Sequence, residues 1–227
     1  MSSRLGPHIS KGINLMYSHK GWFFPDIDSH FKDSVGEFPE CSYQQGALDA
    51  ALKYVKKFDV AIDAGANIGL QSIRLAQKFK QVHAFEPTSV NYDCLDKNSK
   101  NFSNIQIYKT GLGEFTETVT IKLPMDSKNC GAFSILDFKN YENAILEESI
   151  KIVTLDQFNI LPDLIKIDTQ GFELFILKGA KNTLKNKPVL LLECEKKQEK
   201  QLISDYLNPI GYAIIETVRK DSIWIAK

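Results

Sequence analysis

The stretch VAIDAGANIGLQSIRLA, residues Val60–Ala76, carries the clearest information about the fold. Its first residues belong to an apolar run, Asp59–Asp63, which we interpret as a buried strand. Apolar residues then recur at helical spacing over Gly69–Phe79, which predicts an amphipathic helix. Gly65 lies between the two elements, where a residue without Cβ permits a sharp turn. A strand that leads directly into a helix in this way predicts a parallel sheet covered by helices on both faces.

The same alternation continues along most of the chain. Further strands are predicted at Val82–Phe85, Ile105–Lys109, Leu164–Asp168 and Val189–Cys194, and further helices at Ser89–Lys100, Glu173–Leu184 and Lys197–Leu207. Two strand-like runs, Tyr212–Val218 and Ser222–Ala226, follow each other so closely that they require an antiparallel hairpin. We therefore predict an α/β fold with a mostly parallel sheet and a C-terminal antiparallel hairpin. This pattern is typical of Rossmann-like class I methyltransferases, whereas the dinucleotide-binding fold ends in a sixth parallel strand.

The segment between the third and fourth strands of this sheet departs from the alternation. Thr116–Leu123 and Ile150–Leu155 alternate between apolar and polar residues, and Ala132–Leu136 is apolar, so strands are expected here instead of a crossover helix. We predict a β insertion at about residues 114–155 within a domain that spans residues 44–227. Residues 1–43 form an N-terminal extension with an aromatic cluster at Gly21–Pro25. The cluster is interpreted either as a lid over a site or as packing against the sheet edge or a second subunit.

Composition limits the classes of function. The chain has 227 residues, of which 43% are hydrophobic, with 28 basic and 28 acidic residues, so wholesale disorder and a global positive field for nucleic acid are both excluded. We expect no nucleic-acid partner and no membrane span, and the first residues lack the apolar run of a signal peptide. Scattered cysteines without a C-x-x-C pair indicate reduced thiols in a cytoplasmic protein, at Cys41, Cys94, Cys130 and Cys194. The sequence leaves open whether the chain forms a homo-oligomer.

The turn after the first strand predicts a ligand site. In Asp63-Ala64-Gly65-Ala66-Asn67-Ile68-Gly69, the free N–H groups of the following helix favour an electron-rich group, and Asp63 is a candidate acceptor for a ligand ammonium. The nicotinamide fingerprint G-x-G-x-x-G is absent, because Asn67 stands where the second glycine is required.

Acidic residues close the neighbouring strands. Glu86, after the second strand, is interpreted as the acceptor for ribose hydroxyls, although an exposed acid at a strand end is the simpler alternative. Gly111 and Leu112, after the third strand, flank a flat base or form a plain turn. Asp168 ends the fourth strand and points to the same cleft, because ligands of open α/β sheets lie beyond the carboxyl ends of strands. Glu193 ends the fifth strand and is expected to reach the rim of the same cleft.

These residues resemble the FkbM-type methyltransferases. The resemblance rests on six segments in matching order, at Val60–Ala76, His83–Pro87, Thr110–Glu114, Val153–Phe158, Asp163–Leu184 and Pro188–Glu195. It implies an S-adenosylmethionine-dependent enzyme that methylates an oxygen of a sugar, polyketide or related small molecule. The implied cofactor contacts are Asp63, Gly65, Asn67 and Gly69 at the methionine end, Glu86 at the ribose, and Gly111 and Leu112 at the adenine. Asp168 would lie near the methyl group with Glu173 supporting it, and Pro87 is a further cofactor contact. One position departs from the family pattern: this chain has Gln170 where the family usually has an acid.

The acceptor hydroxyl requires a general base, for which Asp168, Glu173 and Glu193 are the candidates. For Glu173 the alternative is an acid that stabilises a helix start. His83 is expected to be a core residue, His30 is a candidate for folding over the cleft, and no ligand-spacing motif predicts a metal.

The predicted acceptor is a small molecule or glycan. Alternatives are transfer to nitrogen of an amino sugar or peptide, a cofactor-binding module with weak or no catalysis, and a nicotinamide oxidoreductase.

Overall fold

The computed structural model describes residues 16–26, 28, 30–123 and 146–227. Within these residues the strands are β1 (Met16–His19), β2 (Trp22–Pro25), β3 (Val60–Ala64), β4 (Gln81–Phe85), β5 (Ile105–Tyr108), β6 (Gly111–Leu112), β7 (Glu117–Leu123), β8 (Leu146–Val153), β9 (Leu164–Ile167), β10 (Val189–Glu193), β11 (Tyr212–Val218) and β12 (Asp221–Ala226). The α-helices are α1 (Gln45–Leu52), α2 (Leu70–Ala76), α3 (Ser89–Ser99), α4 (Glu173–Lys178) and α5 (Lys197–Leu207).

Seven strands form the central sheet in the order β11-β12-β10-β9-β3-β4-β5. Strands β10, β9, β3, β4 and β5 pair in parallel, while β12 is antiparallel to both β10 and β11. The mostly parallel sheet and its C-terminal hairpin are therefore confirmed. The predicted strands of this sheet match the observed ones to within one residue at each end.

The sheet is buried on both faces, which explains the continuous apolar runs of its strands. Every residue of β9 and β10 is buried. Neighbouring residues of one strand enter different apolar clusters: Ala61 packs in one and Ile62 in the other. This alternation follows from the two-residue period of side chains along a strand.

Helix α4 is shorter than predicted. The apolar spacing of Glu173–Leu184 predicts one helix, but the α-helix ends at Lys178 and a separate 3₁₀ turn covers Thr183–Asn186. The break falls at Gly179, where a Cβ atom would lie 1.9 Å from the Gly113 carbonyl oxygen. The predicted continuous helix was therefore wrong, because a close backbone approach from a distant segment ends it. Helix α2 likewise stops at Ala76, before the predicted end at Phe79.

The inserted segment forms a second sheet, of order β6-β8-β7, in which β6 is parallel and β7 antiparallel to β8. The prediction of strands instead of a crossover helix is confirmed for the part that the structure describes, while the predicted strand Ala132–Leu136 lies outside the described residues. The Glu148 carboxylate of β8 accepts hydrogen bonds from the backbone N–H and the hydroxyl of Ser89. The inserted sheet is thereby fastened to the first turn of α3.

The N-terminal segment packs on the central body. Trp22 and Phe24 of the β1–β2 hairpin are fully buried against Ile68 and Ile73. Between the two interpretations of the aromatic cluster, this favours packing over a lid. The side chain of Asn98 on α3 fastens the hairpin, since it accepts from the Phe23 N–H at 2.8 Å and donates to the Phe23 carbonyl at 3.0 Å. The same amide donates to the Ile68 carbonyl at 2.8 Å.

We expect Asn98→Ala to lower the free energy of unfolding by about 2 kcal/mol, because it leaves buried backbone groups without partners. Chemical denaturation measures this change, and Asn101→Ala, an exposed asparagine just beyond α3, is the matched control. Equal stability of the two variants would show that the amide does not fasten the hairpin.

Two further sequence predictions concern cysteines and membrane spans. Cys41, Cys94 and Cys194 are free thiols, and Cys130 lies outside the described residues. Among the helices that the structure describes, none combines the length and apolar character needed to cross a membrane.

Candidate active site

A cavity of about 420 Å³ opens beyond the carboxyl ends of β3, β4 and β9. This volume lies in the range of roughly 300–1,000 Å³ that is usual for small-molecule sites. The predicted site residues that line it are Gly65, Asn67, Glu86, Pro87, Gly111, Leu112 and Asp168. Four other predicted residues, Asp63, Gly69, Glu173 and Glu193, are buried and are not among its lining residues.

Gly65 brings the turn after β3 against the end of β9. Its φ is +77°, and a Cβ atom there would lie 2.0 Å from the carbonyl oxygen of Asp168. Any other residue would push the two segments apart, because backbone atoms leave no room for a side chain. The glycine turn and Asp168 therefore form one continuous wall.

Glu86 connects the glycine turn to the start of α3. Its buried carboxylate accepts from the Asn67 N–H at 2.9 Å, from the Thr88 N–H at 3.1 Å and from the Thr88 hydroxyl at 2.6 Å. Burial raises the pKa of Glu86, and these bonds together with one from the Asn91 side chain act in the opposite direction. A carboxylate has about four acceptor positions. Two of its donors are fixed backbone groups and two are side chains that can rotate.

Asp63 pairs with a protein cation, and its contact with a ligand ammonium stays a prediction. It is fully buried, accepts from the Ser72 hydroxyl at 2.6 Å and pairs with the Lys166 ammonium at 2.9 Å. Lys166 lines the cavity, with its Nζ 3.3 Å from the Gly65 carbonyl oxygen and 3.9 Å from Asp168 Oδ2. Burial opposes the charge of Lys166, but Asp63 and Asp168 raise its pKa above the usual range.

Asp168 and Glu193 are joined by the amide of Gln170. Gln170 Nε2 lies 3.2 Å from Asp168 Oδ1 and 2.8 Å from Glu193 Oε2. Gln44 Nε2 donates to Asp168 Oδ2 at 3.1 Å, and Lys220 pairs with the second oxygen of Glu193. Asp168, which lines the cavity, and Glu193, which does not, thus form a carboxyl pair that receives donors from three chain segments.

The two carboxyls of this pair differ in acidity. Burial by itself would raise the pKa of Asp168, but the Lys166 ammonium and hydrogen bonds from its neighbours hold it below the usual range. Burial, together with the hydrogen bond and negative charge of Asp168, raises the pKa of Glu193 to about 8. Of the two carboxyls, Glu193 is therefore the one that holds a proton to higher pH.

Glu173 and Gly69 shape the backbone beside the cavity. Glu173 Oε1 accepts from the N–H groups of Thr169 and Gly171 at 3.0 and 3.1 Å, and from the Thr169 hydroxyl at 3.2 Å. It therefore fixes the loop that follows β9. Gly69, with φ +93°, precedes the first residue of α2.

Several lining residues were not singled out as site residues from the sequence. They include Phe31, Tyr43, Gln44, Gln71, Thr88, Asn91, Lys166 and Lys220. His30, the candidate for folding over the cleft, also lines the cavity. Lys166 carried a usable signal, because a lone charge inside the buried strand LIKI needs a buried partner. His83 lies outside the cavity wall and its Nδ1 is 2.8 Å from the Tyr108 hydroxyl, which confirms a core position. No cluster of three potential metal ligands occurs among the described side chains.

The strand order of the central sheet, with β12 antiparallel and the cavity at the carboxyl ends, defines a Rossmann-like class I methyltransferase fold. Residues 63–216 match the Methyltransferase FkbM domain. The chain belongs to the FkbM methyltransferase family.

Individual relatives agree with this assignment. The chain is similar to methyltransferase sdnD of Sordaria araneosa, with 28% identity covering 52% of this chain and 59% of the relative. It is also similar to the hexuronic acid methyltransferase AglP of Haloferax volcanii, with 26% identity covering 66% of this chain and 62% of the relative. The alignments therefore span about three-fifths of each relative's length.

A solved structure of an FkbM methyltransferase from Methylobacillus flagellatus shares the fold. The TM-score is 0.52 at 22% identity, covering 74% of this chain and 43% of that one. An S-adenosylmethionine-dependent O-methyltransferase from Thermotoga maritima gives a TM-score of 0.52 at 13% identity, over 81% and 64% of the two chains. At these identities the similarity concerns the fold.

Proposed function

We propose that the chain transfers the methyl group of S-adenosylmethionine to a hydroxyl oxygen of a sugar, glycan or other small molecule. The observation that carries the proposal is a single cavity lined by the glycine turn, Glu86 and Asp168 together. The turn and Asp168 meet at one end of it, and Glu86 is joined to the turn through the Asn67 N–H. A cavity of this kind can hold one elongated ligand against all three.

The chemistry of the wall fits an adenosyl-methionine molecule. Apolar side chains of Pro87, Leu112, Ile121 and Ile150 line the part that would enclose the adenine. Among the described atoms, the buried side-chain oxygens of Asn67 and Gln71 have no hydrogen-bond partner, although both residues line the cavity. Such oxygens are suited to accept from the methionine ammonium.

Glu86 is suited to hold the ribose by exchanging donors. The backbone N–H groups of Asn67 and Thr88 keep the carboxylate in place. The Thr88 hydroxyl and the Asn91 side chain rotate away, and two ribose hydroxyls take their acceptor positions. The net number of hydrogen bonds is then unchanged, while the ligand gains two charge-assisted bonds.

The carboxyl pair provides the base. When bound, S-adenosylmethionine supplies a methyl group that is activated by the positive sulfur. Asp168 is held ionised by Lys166 and Gln44, so it can accept the proton of an acceptor hydroxyl placed beside it. The surrounding groups hold that hydroxyl in line for attack, a contribution worth up to roughly 7–11 kcal/mol in well-oriented reactions. Glu193 is linked to Asp168 through the Gln170 amide. Glu173 holds the loop after Asp168 by accepting from the N–H groups of Thr169 and Gly171.

The acceptor class is proposed from similarity and charge. AglP acts on a hexuronic acid, as its name states, which supports a carbohydrate acceptor. Both cavity-lining lysines are paired with carboxylates, Lys166 with Asp63 and Lys220 with Glu193 and Glu195. A neutral hydroxyl therefore suits the described wall better than a second anion, and a nucleic-acid acceptor suits it least.

Transfer to nitrogen is the second candidate, since a carboxylate at the methyl end also suits an amine. A module with weak catalysis is the third, because Gln170 replaces the acid that the family usually has. The nicotinamide alternative is disfavoured by the C-terminal antiparallel hairpin.

Isothermal titration calorimetry on the full chain tests the proposal. We expect S-adenosylmethionine and S-adenosylhomocysteine each to bind at one site, and oxidised nicotinamide dinucleotide to give no binding heat. A screen of neutral sugars, uronic acids and amino sugars with radiolabelled cofactor then separates oxygen from nitrogen transfer. Binding of the dinucleotide without binding of either sulfur compound would overturn the proposal.

A further inference from the structure

We propose that Gln170 is a positioning residue, whose side-chain amide holds Asp168 and Glu193 together as one proton-sharing pair and sets the pH at which the pair loses its last proton. The catalytic use of this pair rests on the proposed methyl transfer. The pairing itself is a property of the chain alone, so it can be measured without cofactor or acceptor.

The amide is placed between the two carboxyls by the backbone. Gln170 has φ +56° and is followed by Gly171 with φ +102°, an arrangement that reverses the chain after β9. Glu173 fixes this reversal by accepting from the N–H groups on both sides of Gln170, at Thr169 and Gly171. One amide nitrogen then reaches oxygens from the ends of two neighbouring strands, at 3.2 and 2.8 Å.

An amide differs from an acid at this position in charge. A third carboxyl between Asp168 and Glu193 would add a negative charge or a further proton to the pair. The Gln170 amide adds neither a charge nor a titratable proton. Its two N–H groups only donate hydrogen bonds to the oxygens of the two carboxyls. The pair of this chain therefore carries between zero and two negative charges, without the further acid that the family usually has at the position of Gln170.

Charged groups from every neighbouring element face this pair. Lys166 approaches Asp168 along β9, and Lys220 pairs with Glu193 from the turn between β11 and β12. Asp221, at the start of β12, is buried, and burial and the charge of Asp168 raise its pKa to about 6. Tyr43 lies on the N-terminal side, where burial and the charges of Asp168 and Glu193 raise its pKa to about 12. Glu195 shares Lys220 at 2.9 Å.

The sign of the expected effect follows from what the amide stabilises. A hydrogen bond to a carboxylate favours the ionised form and lowers its pKa. Without the Gln170 amide, the loss of the last proton from the Asp168–Glu193 pair is less favourable. The midpoint of this second ionisation therefore moves to higher pH. Until the pair loses this last proton, Glu193 donates a hydrogen bond to Asp168 and weakens it as a base, so the rising limb of a pH–rate profile follows the upper midpoint.

The test is a carboxyl ¹³C NMR titration of the full chain without cofactor. In the native sequence we expect one carboxyl of the pair to titrate near pH 8 and its partner below the usual range for aspartate. In Gln170→Met, which keeps the length of the side chain but removes the donor, the upper midpoint moves up by about one pH unit. In Gln170→Glu it also moves up. Gln157→Met, at an exposed glutamine, is the control and leaves both midpoints in place.

Methyl transfer provides the second readout. Gln170→Met is expected to lower the rate about tenfold on the rising limb and to restore it at higher pH, which a merely structural defect would not do. The proposal is overturned if the upper midpoint is the same in the native chain and Gln170→Met. If the Met variant does not fold, Gln170→Glu takes its place, and an upper midpoint that stays at the native value in that variant overturns the proposal. A shifted midpoint in a chain that binds no S-adenosylmethionine would retain the pairing and discard the proposed function instead.

Discussion

Asp168→Asn is expected to slow methyl transfer by a factor of roughly 10²–10⁴ and to change the affinity for S-adenosylmethionine far less. The amide has nearly the shape of the carboxylate but accepts no proton from an acceptor hydroxyl. Gln44 and Gln170 donate to the two oxygens of Asp168, so one of them meets an amide N–H in the variant. A small loss of stability therefore accompanies the large loss of rate.

Single-turnover rates together with calorimetry separate the two effects. Asp205→Asn, which makes the same change at an exposed site on α5, is the matched control and retains the native rate. Equal losses of rate and of cofactor affinity in Asp168→Asn would make Asp168 a structural residue and leave the base unassigned.

Glu86→Gln is expected to weaken binding of S-adenosylhomocysteine by about tenfold to a hundredfold, the usual effect of losing a charge-assisted hydrogen bond. Glutamine is more informative than alanine here. Alanine would release the N–H groups of both Asn67 and Thr88, whereas glutamine keeps an oxygen acceptor for one of them and turns its own amide N–H toward the other. The amide keeps most of the volume but offers the ribose a poorer acceptor.

Calorimetry of the full chain measures this loss, and the exposed Glu117→Gln on β7 is the control. The thermal stability of both variants is recorded without ligand, so that a misfolded variant is recognised. Native affinity in Glu86→Gln would remove the carboxylate from the ribose site.

The central sheet is predictable from the sequence because its strands are buried on both faces. Runs such as Val189–Glu193 are apolar almost throughout, and the burial of every residue follows directly. Helix α4 was mispredicted because its end depends on contact between Gly179 and Gly113, which are far apart in sequence. The sequence predicted an aromatic cluster at Gly21–Pro25 but not the β1–β2 hairpin that contains it. The position of the hairpin depends on hydrogen bonds to the side-chain amide of Asn98, which is distant in sequence.

The candidate site was predicted best where residues end parallel strands. Glu86 and Asp168 lie at the cavity because the carboxyl ends of such strands share one edge. Asp63 ends no strand, its side chain is fully buried, and its partner Lys166 comes from the adjacent strand β9. The sequence does not state which strands pair, and the pairing of β3 with β9 is what brings Asp63 and Lys166 together. Gln170 and Glu193 meet for the same reason.

A crystal structure of the full chain with S-adenosylhomocysteine would show whether one ligand spans the cavity from Glu86 to Asp168. We predict the ribose hydroxyls within hydrogen-bond distance of the Glu86 carboxylate, with Thr88 and Asn91 turned away. The sulfur atom is expected at the other end of the same cavity, facing Asp168. A ligand bound elsewhere, or one whose ribose does not touch Glu86, would contradict the proposed function.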